Sequence, residues 1–484
     1  MPGPGITAYG VYIPSRRLER AAIAEAHAWA LPSLRGLAKG RRSYCDWDED
    51  TITLAVEAAR GCLANRGGTP LGSLTLASTT HVFADLQNAS FVAGALRLQS
   101  LSTQDAGGSL RAGTSALIRA FQAAPATPGA SLVVAADNRK ARPGSAQEMQ
   151  FGAGSIAMTV APDEGIARFL GSESDAAQFV DHFRAEGEAF DYAWEDRWVR
   201  DEGYSKIVPG VVGRLLQRLH LEASEIAHFC LASPLRGLSA AVAKRLGLPA
   251  ESVVDNLVLE CGDTGTAHPL IMLAAALERA RPGDRILVIG FGAGCDALLL
   301  QATDRLPDFQ ASATVASALA NGRPDGHYLR LLSFAGELQM EWGMRAENDS
   351  KTALSQQYRA SEQLSGFVGG KCGACGAVQF PVLATCVNCG GMGGMEPVPL
   401  ADEPARVATF TADWLQYYPS PPMYFGLVQF DNGARVLMEM VDVDPDVLTV
   451  GSKLRMVFRV KEIDRLRHYR RYFWKAAPIP LKQD

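Results

Sequence analysis

Two stretches of this chain repeat one order of elements, and that repeat constrains the fold more than any other feature. Each stretch runs from an apolar strand through a glycine-rich loop, a helix and a second strand, and each carries a Phe-Gly-Ala-Gly turn. The first copy comprises 73–78, 105–114, 115–124, 131–136 and 151–154, and the second comprises 228–233, 261–266, 269–279, 285–289 and 291–294. An ordered internal repeat indicates a duplicated fold. Because strands alternate with helices, the sequence predicts an α/β fold with a mostly parallel sheet that is covered on both faces.

The rest of the chain follows a different pattern. A stretch rich in Pro, Ala and Asn-Gly around 306–325 interrupts the alternation and predicts a linker. Short alternating strands with turns at Asn432-Gly433 and Gly451 end the chain and favour a small β-barrel. We therefore predict a first half at 1–160, a second half at 161–305, a linker at 306–335, a helical segment with a cysteine-rich ribbon at 336–395 and a barrel at 396–484.

Four cysteines within 18 residues form two C-x-x-C pairs, Cys372 with Cys375 and Cys386 with Cys389. Two such pairs supply four thiolates within tetrahedral reach of one Zn²⁺. A glycine follows each pair, which suits the tight turn that aims two sulfur atoms inward. A closed four-sulfur site leaves no open position for a substrate, so we expect this zinc to stabilise the fold rather than to catalyse.

Composition excludes several classes of protein. The chain has 484 residues with 47% apolar and 20% charged residues and a net charge of −5, which argues against a nucleic-acid partner. The first seven residues lack a basic segment followed by an apolar one, and the most apolar helix candidate, 268–277, is too short to span a membrane. We expect a cytoplasmic protein without a membrane partner. The other five cysteines are scattered and odd in number, which favours reduced thiols: Cys45, Cys62, Cys230, Cys261 and Cys295.

Several motifs together carry a resemblance to a known family. They lie, in order, at 48–55, 113–117, 143–148, 152–154, 262–267 and 291–294. Residues 4–304 thereby resemble the thiolase superfamily, closest to its branch of 3-hydroxy-3-methylglutaryl-CoA synthases and type III ketoacyl synthases. Residues 330–480 resemble the zinc-ribbon plus OB-fold domain that accompanies many thiolase-like enzymes. The resemblance implies a duplicated five-layer thiolase fold followed by a zinc ribbon and an OB-fold barrel, an acyl-CoA substrate, a homodimer and a possible hydratase or dehydrogenase partner subunit.

The residues that this family uses for catalysis are absent. The resemblance places the nucleophilic cysteine at Leu110, the histidine at Ala232 and the asparagine at Asp263. The glutamate of the synthases falls on Thr79 or Thr80, with His81 beside it. Ser109, Cys261 and Cys295 remain as displaced nucleophiles, although a serine without an activating base and a packed thiol are both poor ones.

Other residues are candidates for acid–base work. Asp263 lies at a predicted helix start, His81 follows a strand end and His268 lies one turn into the second-half helix. Each has a structural alternative: Asp263 as a helix cap, His81 as a loop residue and His268 as a packed core histidine. Glu202 and Tyr204 belong to a cluster of aromatic and charged residues at 192–204, which is either a solvated helix or a wall of the pocket.

For the CoA moiety we expect glycine backbone at Gly292 and Gly294, and basic side chains that bind its phosphates. The basic candidates are Arg41, Arg42, Arg139 and Lys140.

Three functions follow as hypotheses. The first is an aldol or retro-aldol reaction of a β-hydroxyacyl-CoA, because that reaction needs a base and donors for an enolate but no acyl-enzyme. The second is a Claisen-type synthase or thiolase that uses a displaced nucleophile. The third is a non-catalytic acyl-CoA-binding scaffold for a partner enzyme.

Overall fold

A computed structural model describes residues 3–65, 68–163, 165–347 and 351–479. The chain divides into two compact units. Unit 1 contains residues 1–46, 50–90 and 100–335, and unit 2 contains 47–49, 91–99 and 336–484. The predicted boundary between linker and ribbon falls at the same point, between 335 and 336. The outermost parts of the predicted first half and barrel, residues 1–2 and 480–484, lie outside the described residues.

Unit 1 is built on a mixed β-sheet. Its strands are β1 (Gly5–Tyr12), β2 (Arg16–Glu19), β3 (Arg41–Ser43), β4 (Leu71–Ala77), β5 (Ser102–Ala106), β6 (Ala130–Asn138), β7 (Ala153–Ala161), β8 (Ala167–Ala176), β9 (His182–Phe183), β10 (Tyr192–Ala193), β11 (His228–Leu231), β12 (Arg285–Phe291), β13 (Gly294–Ala302) and β14 (Arg323–Asp325). Nine of them form one sheet in the order β11-β12-β13-β8-β1-β7-β6-β4-β5. The prediction of a mostly parallel sheet is wrong, because most neighbouring strands of this sheet pair antiparallel, including β6 with β7 and β12 with β13.

The helices lie between these strands and in the C-terminal part of the chain. They are α1 (Arg20–Ala26), α2 (Thr51–Leu63), α3 (Asn88–Ala95), α4 (Ala112–Ala123), α5 (Ala146–Gln150), α6 (Asp196–Trp198), α7 (Val208–Leu219), α8 (Leu238–Leu246), α9 (Val258–Cys261), α10 (His268–Leu277), α11 (Val315–Ala320), α12 (Tyr328–Phe334), α13 (Leu354–Arg359) and α14 (Ser361–Leu364). A π-helix, Val199–Ile207, joins α6 to α7. Within the described ranges, no helix is long and apolar enough to cross a membrane.

The duplication read from the sequence is present in the structure. In the first copy β4 pairs parallel with β6 and β6 pairs antiparallel with β7. In the second copy β11 pairs parallel with β12 and β12 pairs antiparallel with β13. The helices α4 and α10 follow the two glycine-rich loops and contribute to the same buried core. Every residue of α10 is buried, as expected for a helix that is apolar on all sides.

Gly113 lets the two copies meet closely at the start of α4. A methyl group added at Gly113 would lie 2.4 Å from the Thr266 carbonyl oxygen in the loop before α10. Only glycine allows the helix to approach that carbonyl so closely. The glycine-rich loops of both copies therefore lie side by side, which is where a site shared by the two halves can form.

The predicted linker at 306–335 is instead folded into unit 1. It forms α11, β14 and α12, and β14 pairs parallel with β2. Val315, Tyr328 and Leu331 are buried there. The sequence reading failed because the apolar residues of these short elements are too few to show a period.

Unit 2 contains two small β structures. Its strands are β15 (Val368–Cys372), β16 (Val378–Gln379), β17 (Met395–Pro399), β18 (Ala405–Val407), β19 (Thr411–Asp413), β20 (Met423–Phe430), β21 (Arg435–Met440), β22 (Lys453–Asp464) and β23 (Tyr469–Pro478). The first three form the ribbon, in the order β16-β15-β17. The later strands close into a five-membered ring, β18-β20-β21-β23-β22-β18, with a parallel pairing between β21 and β23. The predicted barrel is confirmed.

Candidate active site and zinc centre

The loop that precedes α4 holds its side chains in structural contacts. The Ser109 hydroxyl donates to the Gly292 carbonyl oxygen at 2.7 Å. Arg111 donates to the same oxygen and forms an ion pair of 2.8 Å with the buried Asp296. Leu110, at the position where the resemblance places the nucleophile, has no group that can attack. Because the Ser109 proton is committed to a carbonyl rather than to a base, this loop offers no activated nucleophile.

The cysteines of the second half do not replace the missing nucleophile. Cys230, Cys261 and Cys295 are all fully buried. Burial raises the pKa of the Cys261 thiol to about 12, and burial also raises the pKa of Cys230 and of Cys295 well above the usual thiol value. A thiol that stays protonated at neutral pH is neither a nucleophile nor a metal ligand.

His81 lies against the loop that leads to Leu110. A methyl group added at Gly107 would lie 3.4 Å from the Cε1 atom of the His81 ring. The Nε2 atom of His81 is buried and has no hydrogen-bond partner among the described residues. A buried polar atom without a protein partner costs free energy, and a catalytic role or a bound water is among the explanations for such an atom in a native fold. His81 therefore presents an available ring nitrogen beside the expected reaction centre.

Asp137, at the end of β6, holds two loops of this region together. Its Oδ1 atom accepts hydrogen bonds from the Ser78 hydroxyl, the Thr79 N–H and the Thr80 hydroxyl at 2.8–2.9 Å. Its Oδ2 atom accepts from the Thr266 N–H at 2.8 Å. The loop that bears His81 and the loop that bears Asp263 are thus fixed to one fully buried carboxylate.

Asp263 belongs to a network of charges. Its Oδ2 atom lies 3.3 Å from Arg139, and its Oδ1 atom accepts the Gly265 N–H at 3.0 Å. Arg139 also forms a two-bond contact with Asp191 at 2.9 Å, and Asp191 pairs with Arg184 at 2.6 Å. The Arg184 guanidinium in turn donates to the Thr79 carbonyl oxygen. The carboxylate of Asp263 is therefore held by protein donors, and its loop is tied to the His81 loop a second time.

His268 is a structural histidine, contrary to the catalytic role considered for it. The Thr264 N–H donates to its Nδ1 atom at 3.0 Å, so Nδ1 is an acceptor. Its Nε2 atom donates to the Asn256 carbonyl oxygen at 2.6 Å. Both ring nitrogens of this buried side chain are used within the fold, which leaves none for a substrate.

Tyr204 is placed in the site by the π-helix. Its hydroxyl donates to the carbonyl oxygen of Ala232 at 3.3 Å. Ala232 is the position where the resemblance expects a histidine. The Tyr204 ring stacks on Phe291 with 4.0 Å between ring centroids. Burial, together with the carboxylates of Asp181 and Asp263, raises the pKa of Tyr204 far above its usual value. Tyr204 is therefore a lasting hydrogen-bond donor and not a base.

Glu202 lies outside the site. It pairs with Lys206 at 2.6 Å, four residues along the π-helix, and its side chain is 37% exposed. The two candidates of the cluster at 192–204 therefore differ. Glu202 lies on a solvated helix face, as one of the two alternatives predicted, whereas Tyr204 is buried. A π-helix gives no recognisable sequence period, which is why the pattern predicted an ordinary helix.

The residues predicted to bind CoA are mostly engaged by the protein. Arg41 pairs with Glu260 at 2.9 Å, and Lys140 donates to the Ala335 carbonyl oxygen. Arg42 is buried and donates to the Glu148 carbonyl oxygen at 2.6 Å. Arg139 is buried between Asp191 and Asp263 as described above, so the contacts of Arg42 and Arg139 disfavour both as phosphate ligands.

The two glycines predicted beside CoA serve the backbone. Gly292 and Gly294 have φ angles of 149° and 121°. A methyl group added at Gly292 would lie 2.7 Å from the Ser109 hydroxyl oxygen, and one at Gly294 would lie 2.1 Å from the Asp175 carbonyl oxygen. Both positions therefore require glycine because of the fold, and a contact with CoA stays a prediction.

The four cysteines of the ribbon converge as predicted. Their sulfur atoms all lie within 4.8 Å of one another, with 3.8 Å between Cys372 and Cys389 and 3.6 Å between Cys375 and Cys386. Tetrahedral ligation with Zn–S bonds of about 2.3 Å requires sulfur atoms about 3.8 Å apart. The glycines after the pairs, Gly376 and Gly390, have φ angles of 74° and 70°, as the tight turns require. The donor set fits zinc.

The sequence did not indicate three residues of this region: Asp137, Arg184 and Asp191. Asp137 could have been found, because it ends a buried strand at the edge where parallel strands of α/β sheets place their functional groups. Arg184 and Asp191 lie in an irregular segment, and only the fold shows that they meet Arg139.

Three family models match parts of the chain. The model "3-Oxoacyl-[acyl-carrier-protein (ACP)] synthase III C terminal" matches residues 216–301. The model "ChsH2, rubredoxin-like zinc ribbon domain" matches 365–393, and "ChsH2, C-terminal OB-fold domain" matches 398–459.

Curated relatives match about two thirds of the chain. The hydroxymethylglutaryl-CoA synthase of Methanocella arvoryzae is 31% identical over 315 residues, which covers 63% of this chain and 90% of that protein. The hydroxymethylglutaryl-CoA synthase of Methanosphaera stadtmanae is 28% identical over 348 residues, which covers 69% of this chain and 99% of that protein.

Solved structures share the fold. A crystal structure of an HMG-CoA synthase complexed with CoA is 19% identical with a TM-score of 0.59 and covers 67% of this chain and 88% of that one. The 3-oxoacyl-(acyl carrier protein) synthase III of Pseudomonas aeruginosa PAO1 is 23% identical with a TM-score of 0.56 and covers 62% of this chain and 99% of that one. The predicted duplicated thiolase fold, followed by a zinc ribbon and an OB-fold, is confirmed.

Proposed function

Because the chain belongs to the hydroxymethylglutaryl-CoA synthase family, we propose that it is an acyl-CoA enzyme that makes or breaks a carbon–carbon bond without an acyl-enzyme. One observation carries the proposal: Leu110 stands where the resemblance places the nucleophile, in a loop whose neighbouring serine donates its proton to a carbonyl oxygen. The reaction that remains open to such a site is of the aldol type.

The proposed reaction balances without a covalent intermediate. In the cleavage direction, a base takes the proton of the β-hydroxyl group of a β-hydroxyacyl-CoA. The oxygen electron pair forms a carbonyl, the bond between the α- and β-carbons breaks, and its electron pair becomes the enolate of the thioester. A proton then adds to the α-carbon, which gives an aldehyde or ketone and a shortened acyl-CoA. Condensation is the same sequence in reverse.

The site residues divide these tasks. We assign the β-hydroxyl proton to Nε2 of His81, because that atom is buried beside the 107–110 loop and has no protein partner among the described residues. We assign stabilisation of the developing enolate to the Tyr204 hydroxyl, whose proton would turn from the Ala232 carbonyl oxygen to the enolate oxygen, because its raised pKa keeps it a donor. Asp263, held by Arg139 and the Gly265 N–H, then positions the loop rather than transferring a proton.

The contacts disfavour the Claisen alternative through Ser109, Cys261 or Cys295. That route needs a nucleophile that loses its proton near neutral pH. Ser109 donates its proton to Gly292, and both thiols are buried with raised pKa values. The neighbours named as synthases support carbon–carbon bond formation as a class of reaction, in agreement with the condensation direction.

We propose a structural Zn²⁺ for the ribbon, held by the four cysteines. Bound there, the ion supplies four cross-links to a segment with little core of its own. The homodimer and the hydratase or dehydrogenase partner stay predictions from the resemblance.

Product analysis tests the function. The purified protein is incubated with a panel of β-hydroxyacyl-CoA and 3-ketoacyl-CoA esters, and the products are identified by mass spectrometry. We expect a free aldehyde or ketone and a shortened acyl-CoA without added CoA. A shortened acyl-CoA that forms only with added free CoA, or a labelled acyl group trapped on the protein, would refute the proposal in favour of thiolase or Claisen chemistry.

A further inference from the structure

A segment between β8 and α6, residues 178–194, lies over the loops of the site, and we call it the strap. It contains the short hairpin of β9 and β10, in which His182 pairs with Ala193 and Phe183 with Tyr192. Directly opposed residues of an antiparallel pair project on the same face, and neighbours along a strand project on opposite faces. The strap therefore has one face with His182 and another with Phe183 and Tyr192.

The contacts identify the face that is directed at the site. Phe183 and Tyr192 are 51% and 55% exposed, so their face is the outer one. Arg184 and Asp191 lie just beyond the paired residues in irregular backbone, and like His182 they are largely covered, which puts them on the inner side of the strap. Arg184 donates to the Thr79 carbonyl oxygen, and Asp191 binds Arg139. His182 consequently projects on the side of the loops that carry His81 and Asp263.

His182 forms a carboxylate–imidazole pair with its neighbour. Its Nδ1 atom lies 2.7 Å from Oδ2 of Asp181, whose main chain is fixed by a hydrogen bond from the Trp194 N–H at 3.0 Å. Because a carboxylate accepts, Nδ1 carries the proton and Nε2 is the basic atom. Among the described residues, the structure gives Nε2 no hydrogen-bond partner. Phe179, two residues before Asp181 in the strap, packs edge-on against Phe291 with 6.0 Å between ring centroids, and Tyr204 stacks on the same Phe291 ring. The pair therefore lies near that end of the site.

We propose that His182, oriented by Asp181, is the acid–base residue that moves the proton at the α-carbon of the acyl-CoA. This inference rests on the proposed function, which requires a second proton transfer besides the one assigned to His81. In the cleavage direction, Nε2–H of the imidazolium gives its proton to the α-carbon. The enolate electron pair forms the new C–H bond, the thioester carbonyl is restored, and His182 regains a proton from solvent. In condensation, neutral Nε2 removes the α-proton.

The arrangement also accounts for the alanine at position 232. The resemblance expects an imidazole there, and Tyr204 instead reaches the Ala232 carbonyl oxygen. The strap brings an imidazole to this end of the site from another part of the chain, so the lost histidine has a replacement on a different element.

Exchange of α-protons in D₂O tests the proposal. The full-length protein is incubated with acetyl-CoA, with propionyl-CoA and with the acyl-CoA product found in the panel. Entry of deuterium at the α-carbon is followed by mass spectrometry, both with each of these esters alone and during turnover of the active ester. We expect His182→Gln to slow deuterium entry by about 100-fold or more. His182→Gly should recover part of its rate when imidazole is added. His228→Gln is the matched control, because His228 forms a similar pair with Asp284 at 3.1 Å and lies at the start of β11.

The outcomes separate the two proposals. If the wild-type protein neither exchanges α-protons nor cleaves any ester of the panel, the proposed function fails, and the role proposed for His182 fails with it. If the wild type is active and His182→Gln exchanges within threefold of it, the inference is overturned while the function stands. Loss of exchange in His182→Gly that imidazole does not restore, or an equal loss in His228→Gln, would show a structural effect and would also overturn it.

Discussion

At the scale of single residues, the chemistry of this site depends on which polar atoms the fold leaves without partners. His81 and His268 looked equivalent in the sequence, since each follows a glycine-rich or strand-end segment. In the structure both nitrogens of His268 are bonded to main-chain groups, whereas Nε2 of His81 is buried without a partner among the described residues. Residue type and position therefore predicted candidates, but the choice between them needed hydrogen-bond partners that no spacing reveals.

The role of His81 predicts a selective loss of activity. His81→Gln keeps a polar side chain of similar size and removes the base, so we expect kcat to fall by about 100-fold or more with little change in thermal stability. His220→Gln is the control, because His220 is exposed at the end of α7. The measurement is the initial rate on the active ester of the panel together with a thermal unfolding curve. A variant that retains more than one third of the wild-type kcat would exclude His81 as the base.

At the scale of elements, the π-helix is the feature that joins the fold to the site. Gly203, next to Tyr204, packs against two rings: a methyl group there would lie 2.8 Å from atoms of both Phe179 and Phe291. Phe291 is the ring on which Tyr204 stacks. The sequence could show the aromatic and charged cluster but not its winding, because a π-helix is set by tertiary packing and has no residue pattern of its own.

A matched pair of glycine substitutions tests this arrangement. Gly203→Ala should displace Phe179 or Phe291, move the Tyr204 hydroxyl and lower kcat. Gly213→Ala in α7 is the control, because nothing lies within 4 Å of the added methyl group and alanine favours an exposed helix by about 1 kcal/mol. We expect Gly203→Ala to lower both activity and melting temperature, and Gly213→Ala to raise the melting temperature with unchanged activity. Equal behaviour of the two variants would contradict the role given to Gly203.

The zinc ribbon is the element that the sequence predicted in most detail. Four ligands, their spacing and the glycine after each pair were all readable, because metal ligation is a local property of the chain. The Ala377 N–H and the Asn388 side chain lower the pKa of the Cys375 thiol to about 6, which suits a thiolate ligand.

Metal analysis tests the ribbon. We expect about one zinc per chain by atomic spectrometry, and Cys386→Ser should lose the metal together with the order of 368–399. Cys62→Ser is the control, because Cys62 is a buried thiol of α2 far in sequence from the ribbon. The readouts are zinc content and the protection of ribbon amides from hydrogen exchange. Full zinc content in Cys386→Ser would rule out the proposed four-sulfur site.

At the scale of the whole molecule, the order of the parts was predictable and their interleaving was not. The duplication, the ribbon and the barrel each leave a local signature of period, spacing or turns. The two units, however, do not divide the chain at one point, since 47–49 and 91–99 belong to unit 2. The acidic run at 48–50 suggested a helix start, and Asp50 does cap α2. Asp48 and Glu49 instead belong to a cluster of buried charged side chains, which no local sequence pattern predicts.

That cluster lies within unit 2 and combines two cations with several carboxylates. Lys475 contacts Asp48 at 2.9 Å and Glu439 at 2.8 Å, and Arg459 contacts Glu49 at 2.5 Å. Lys475 and Arg459 are each only 1% exposed. Removing one partner of such a pair leaves an uncompensated charge in the interior, whereas removing both leaves none.

A double-mutant cycle on the full-length chain tests this reading. Lys475→Met should destabilise the protein by about 3 kcal/mol, because Asp48 then keeps only Arg459, at 3.9 Å, and Glu439 keeps only the partly exposed Lys461. Asp48→Asn should cost less, since Glu439 still pairs with Lys475. The double variant should be less destabilised than the sum of the two, because each change removes the charge that the other leaves unpaired. Arg406→Met is the surface control: its partner Asp431 is more than half exposed, so little change is expected. Additive losses in denaturant unfolding would show that Asp48 and Lys475 act independently, and Asp48 would then not anchor segment 47–49 in unit 2.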